Sequence, residues 1–195
     1  MALLQVPFTN SRQKKAFWCW AAVAANCYNS MRPETVEPVS QCYVVTLVES
    51  NCAADEPDSL SWALYYLGII DDQSASPRVA VVEDEFEGFG EEFDPDEGVA
   101  EPVCAEIEFP GPAFHEVAIT AIDTVTEHVW IADPYIGGPP VEFDWNDFVN
   151  RYNYAMASEG RGTVQNFQRV VNKWAVAAGL GSENGTDTDI SSINA

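Results

Sequence analysis

Only two histidines, His115 and His128, occur in the 195 residues of this chain. Any chemistry that needs an imidazole near neutral pH therefore has two candidates. No Cys-x-x-Cys pair is present and the histidines do not fall at finger spacing, which argues against a structural zinc site. Basic side chains are scarce: nine against 31 acidic ones, for a formal net charge of -22. A field of that sign excludes general binding to nucleic acid or anionic membranes and is compatible with a cationic partner or substrate. No apolar run approaches the roughly 20 residues of a membrane span, so no membrane insertion is expected. The start, Met1 to Pro7, lacks a basic segment followed by a long apolar one, and no signal peptide is read there.

What the chain does have is apolar material. Hydrophobic residues make up 47% of it, enough for a sizeable core in one domain over residues 1–180. The stretch that organises it runs from Arg12 to Met31. Cys19 sits there between Trp18 and Trp20, at the front of a small-residue run. Trp20, Val23, Ala24 and Cys27 fall at i, i+3, i+4 and i+7, one face of a helix. Cys19 would lie in its first turn, where unpaired N–H groups and the helix dipole stabilise a thiolate. An isolated cysteine beside tryptophan is by default a packing residue; the rest of the chain decides against that default. The other four cysteines, at 27, 42, 52 and 104, could pair as two disulfides, but without a signal peptide reduced, mostly buried thiols are expected.

Taken in order, residues 1–11 read as an extended lead-in. Arg12, Lys14 and Lys15 form a basic cluster, either solvated or assisting a thiolate. A second helix is expected from Gln41 to about Glu49, capped by Ser40, although Val44, Val45 and Val48 would suit a strand equally well. Asp58 to Gly68 is a well-punctuated helix. Arg78 to Val82 is a short strand candidate. Residues 83–101 carry ten carboxylates interleaved with Phe86, Phe89 and Phe93, an exposed loop or lid. Asp94 to Gly98 does not complete a calcium loop, so no metal and no cofactor is expected. Strands then follow at Val103–Phe109, His115–Asp123, Val129–Asp133 and Val141–Phe143, with a brief helix from Asp144 or Asn146 through Tyr152. Phe167, Val170, Val171, Trp174 and Ala178 recur at helical spacing and predict a C-terminal helix over 163–179. Residues 181–195 are expected to be a disordered tail.

A nucleophilic Cys19 needs a base. His128 sits in a polar turn, where exposure is the default. His115 opens a strand after a Gly-Pro turn and is the better candidate. Asp133 ends the strand expected to pair with the one His115 begins, and in an antiparallel hairpin those two ends are neighbours. Asn146 and Asp147 are weaker candidates for orienting the imidazole. Oxyanion donors would be the Cys19 backbone N–H and the side-chain amide of Gln13, six residues upstream.

Gln13-x5-Cys19-Trp20-Ala21, a histidine opening an alternating strand, and Asp133-Pro134 ending the next resemble the papain-like cysteine peptidases. Trp18 to Ala22 and Gln41-Cys42 make the chain most similar to the compact bacterial branch, the bacteriocin-leader-processing and plant-pathogen effector peptidases. The resemblance implies an α+β fold, with a helical N-terminal half packed on a C-terminal antiparallel sheet and an active site in the cleft between them. It implies Cys19 as nucleophile, His115 as base, Asp133 as orienter and Gln13 as oxyanion donor. Trp18 and Trp20, flanking the cysteine, are expected at the substrate cleft, Trp20 also anchoring the core. The expected activity is thiol-dependent hydrolysis of a peptide or protein substrate, one of basic character being compatible with the charge. A monomer is expected, either cytoplasmic or secreted as an effector. An acyl transferase with the same triad and a non-catalytic binding module on the same scaffold are the competing readings.

Overall fold

In the computed structural model, the described residues are 3–70, 86, 93, 101–111, 113–153, 159–170 and 173–174. The architecture is α+β. Strand β1 (Leu4–Gln5) leads into three helices, α1 (Cys19–Met31), α2 (Gln41–Glu49) and α3 (Leu60–Leu67). Strands β2 (Val103–Glu108), β3 (Phe114–Asp123), β4 (His128–Ala132) and β5 (Val141–Asp144) follow, then α4 (Trp145–Arg151) and β6 (Thr163–Arg169). All pairings are antiparallel, in the order β5-β4-β3-β2-β6, with β1 joined to β3.

Helix α1 is surrounded on every side. Its residues from Trp20 to Cys27 are all buried. The alanines at 21, 22, 24 and 25 make this feasible, because a methyl side chain lets α2, α3 and β3 approach the backbone closely and leaves little to desolvate. Helix α2 starts at Ser40, whose side chain accepts from the Tyr43 N–H at 3.1 Å, and stops at Ser50 in the left-handed region. The ambiguity between helix and strand at Val44 and Val45 is resolved in favour of helix, with both side chains fully buried. Gly68 at φ +65° terminates α3. One apolar cluster joins these helices to Cys104, Ala118 and Ala132 on one sheet face. A second gathers Val117, Ile119, Ile131, Phe148 and Phe167 on the other.

Three expectations are corrected. First, Cys42 and Cys52 form a disulfide across a ten-residue separation, rather than remaining thiols. Bond and loop together close the connection that leaves α2. Cys27 and Cys104 are free and buried, their sulfurs 3.6 Å apart.

Second, residues 163–169 are strand β6 and not the start of a C-terminal helix. Glu106 faces Asn166 while the next residue, Ile107, faces Val164, so Gln165 is the extra residue of a β-bulge. The bulge puts Val164 and Phe167 on the same side of the sheet, three residues apart. Gly162 lies so close to Ile107 that an added Cβ would meet its Cγ2 at 2.4 Å, which seats the chain against β2 just before the strand begins. Lys173 and Trp174 are helical, and the Trp174 ring stands edge-on to Tyr28.

Third, Trp18 and Trp20 do not line a cleft. They are 2% and 1% exposed, and their indole N–H groups donate to the carbonyls of Ala54 and Glu56. The strand candidate at 78–82 and the tail at 181–195 lie outside the described residues, as does the acidic 83–101 stretch apart from Phe86, Phe93 and Glu101. No helix among the described residues is long and apolar enough to cross a membrane.

Candidate active site

The loop before α1 is held in place by two buried amides. Gln41, at the start of α2, accepts from Lys14 N–H at 2.9 Å and donates to Arg12 O at 2.9 Å. Asn26, inside α1, accepts from Ser11 N–H and donates to Ser11 O and to Asn10 Oδ1. The same loop reaches the end of β4: Gln13 N–H donates to Pro134 O at 2.7 Å, and Asn10 Nδ2 donates to Asp133 O at 3.0 Å. Gly138 N–H donates back to Asn10 O. Lys15 is spent on structure, its ammonium donating to the carbonyls of residues 52 to 54 and lying over the Trp18 ring. That removes Lys15 from the role of thiolate helper.

Cys19 is the first residue of α1 and is partly exposed. Helix α1 packs against β3 and brings the sulfur to the end of that strand where His115 stands. His115 is 1% exposed, and its Nε2 bonds Asp133 Oδ1 at 2.8 Å. With Nε2 so engaged, Nδ1 is the nitrogen left for the sulfur. Asp133 is 3% exposed and fully partnered. Its Oδ1 also accepts from Tyr135 N–H at 2.8 Å, and its Oδ2 accepts from the Tyr152 hydroxyl.

These contacts set the charges. Burial raises the Cys19 thiol, but the hydrogen bond and charge of His115, with the backbone N–H groups of Glu116 and Trp20, outweigh it and leave the thiol below its ordinary value. Burial lowers the His115 imidazole, while hydrogen bonds and charge from Asp133 and Cys19 raise it to about 9. Burial likewise raises Asp133, and the bonds from His115, Tyr152 and Tyr135 more than reverse this. The three groups are each pushed towards the charged form: the thiol and the Asp133 carboxyl down, the imidazole up.

The remaining candidates fall elsewhere. His128 stands at the opposite end of β4 from Asp133, one-third exposed and 3.8 Å from Glu142. Asn146 and Asp147 lie on α4, occupied by Asn150 and Arg151. Gln13 is in the site loop, but both its N–H donors are committed, to Lys15 O at 2.9 Å and Ala16 O at 2.8 Å, and its Oε1 is buried without a partner. Among the described residues no group of three or more His, Cys, Asp or Glu side chains is arranged to hold a metal ion.

Sequence reasoning missed Tyr152 and Asn10, which fix Asp133 from two sides. Tyr152 looked like the end of a short helix, and nothing in local spacing ties it to residue 133. Tyr152→Phe removes a hydrogen bond to a buried carboxylate, worth roughly 1.5–3 kcal/mol. The expected result is a roughly tenfold or greater loss in kcat at nearly unchanged KM for any reaction using this site, read by steady-state kinetics. The aromatic and aliphatic surface at the site also comes from residues not singled out. Phe17, Phe114, Tyr135 and Ile136 are 41–52% exposed, each within three residues of Cys19, His115 or Asp133.

Thiol counting checks the cysteine assignments. In the native protein one thiol, Cys19, should react promptly with a chromogenic disulfide. Unfolding without reductant should raise the total to three, because Cys42 and Cys52 stay bonded.

No family model matches the chain, and no curated protein matches its sequence.

Proposed function

We propose that this protein is a cysteine peptidase of papain-like type, hydrolysing peptide bonds through a thioester on Cys19. The observation that carries the reading is the grouping of a partly exposed Cys19 with the buried His115 and Asp133, the thiol depressed and the imidazole raised. A structural cysteine would need neither partner.

In this reading the Cys19 thiolate attacks the scissile carbonyl carbon. His115 gives its Nδ1 proton to the leaving amine as the C–N bond breaks, and a thioester remains. Water then attacks that thioester, His115 takes the water's proton, and the acid is released with the thiol regenerated. Asp133, held by Tyr152, Tyr135 and Asn10, keeps the ring oriented and stabilises its charged form. The first N–H groups of α1 have no acceptor within the helix, so the Cys19 N–H is free to stabilise an oxyanion. Gln13 joins it on releasing one of its two loop carbonyls. Phe17, Phe114, Tyr135 and Ile136 offer the apolar surface against which an extended substrate would lie.

The test is incubation with a complex peptide mixture under conditions that keep Cys19 reduced, with new termini read by mass spectrometry. A defined subset of peptides should be cut, and prior alkylation of Cys19 should abolish the cuts. Unchanged peptides, or cuts that survive alkylation, would remove the reading. Running the same mixture with an added amine separates hydrolysis from acyl transfer by product mass.

A further inference from the structure

We propose that Glu116, near the Cys19 sulfur, and Glu106, its cross-strand neighbour, form a subsite for a basic group of the substrate, a guanidinium or an ammonium. The proposal rests on the peptidase reading for the word substrate, and on geometry for the rest.

Glu116 follows His115 in β3 and stands directly across from Glu106 in β2. Alternation along the strands puts both on the helix-facing side of the sheet, together with Cys104 and Ala118. Glu116 is 5% exposed, a placement that carboxyl groups almost never take unless paired. Asn166 Nδ2 on β6 donates to Glu106 Oε1 at 3.1 Å. Glu116 Oε2 has no partner. Gln168, two residues beyond Asn166 on the same face and 6% exposed, has its Oε1 buried without a partner as well. Among the described residues neither glutamate makes an ion pair with a lysine or arginine.

Every unsatisfied atom in this row is an acceptor. A neutral donor could satisfy one of these acceptors but would not match the charge of the two carboxylates; a cation carrying several N–H donors does both. Burial, then the negative charges of Cys19 and Glu106, push the Glu116 carboxyl well above its usual range. A cation beside Glu116 opposes that push and favours the charged carboxyl, in a charge-matched pair. Glu106 is only half-buried, which opens the pair to the outside. The Glu116 backbone N–H reaches the Cys19 sulfur, so a side chain bound here belongs to a residue close to the scissile bond.

The test does not require turnover. The rate at which iodoacetamide alkylates Cys19 is measured alone, with agmatine (a guanidinium on a short chain), and with equal tetramethylammonium, which has no N–H donors. Agmatine should slow the wild-type reaction at least about fivefold where tetramethylammonium does not, the margin expected of a charge-assisted hydrogen-bonded pair. In Glu116→Gln and Glu106→Gln the ratio of rates with and without agmatine should fall back towards one. Glu106 is the more exposed of the two, so its variant decides the matter if Glu116→Gln fails to fold. Wild type protected no better by agmatine than by tetramethylammonium, or protection surviving in a folded Glu106→Gln, would overturn the subsite. Protection without peptide cleavage would keep the subsite and remove the peptidase; cleavage without protection would do the reverse.

Discussion

Cys19→Ala should abolish peptide cleavage, lowering kcat by roughly 10⁴-fold or more, because the covalent route disappears and only binding and oxyanion stabilisation remain. The fold should survive. Cys19 is partly exposed at a helix start, its side chain is small, and the buried packing of α1 begins at Trp20. Alanine also removes a group that raises His115, so the imidazole in the variant should titrate below about 9. A melting curve and a histidine proton titration on the same sample would show intact structure with a shifted ring. Residual cleavage near the wild-type rate would move the nucleophile elsewhere.

Asp133→Asn is expected to lower kcat/KM by roughly 10³–10⁴-fold. The amide still fits, its oxygen accepting from Nε2–H and Tyr135 N–H and its Nδ2 facing the Tyr152 hydroxyl, but it supplies no charge to hold the ring protonated. The pH profile separates this from a loss of folding. Transfer of a proton to the leaving amine needs His115 charged. In the wild type that condition holds below about 9 and fails above it, so the alkaline limb of kcat/KM should lie near pH 9. The acid limb marks protonation of the thiolate and should lie below the ordinary thiol value of 9.0. In Asp133→Asn the largest of the influences that raise His115 is gone, and the alkaline limb should move down towards the ordinary imidazole value of 6.5. A limb that stays in place would mean that it reports some other group.

The triad was legible in the sequence because it depends on simple geometry. His115 and Asp133 end up 2.8 Å apart because a hairpin returns the chain beside its own start, and two alternating strands with a polar turn state that plainly. Cys19 at the front of an alanine-rich helix is equally local. The features that stayed hidden depend on longer connections. Tyr152 reaches Asp133 from a segment whose own pattern encodes only α4 and its end. Strand β6 stayed hidden because it exists only through pairing with β2, far earlier in the chain. Glu116 was not singled out, because a sequence does not reveal that α1 covers that face of β3. Trp18 and Trp20 were misplaced for a related reason: a tryptophan beside a nucleophile looks available, but loop carbonyls at residues 54 and 56 take both indoles inward.

The central claim is that Cys19 is held as a thiolate by His115. The most direct measurement is the pH dependence of Cys19 alkylation by iodoacetamide, followed by intact mass, in wild type and His115→Ala. The account predicts rapid single-site labelling of the wild type well below pH 9, with the variant slowed at that pH and recovering only as ordinary thiol ionisation sets in. A wild-type curve that rises only with an ordinary thiol, and coincides with that of His115→Ala, would contradict it.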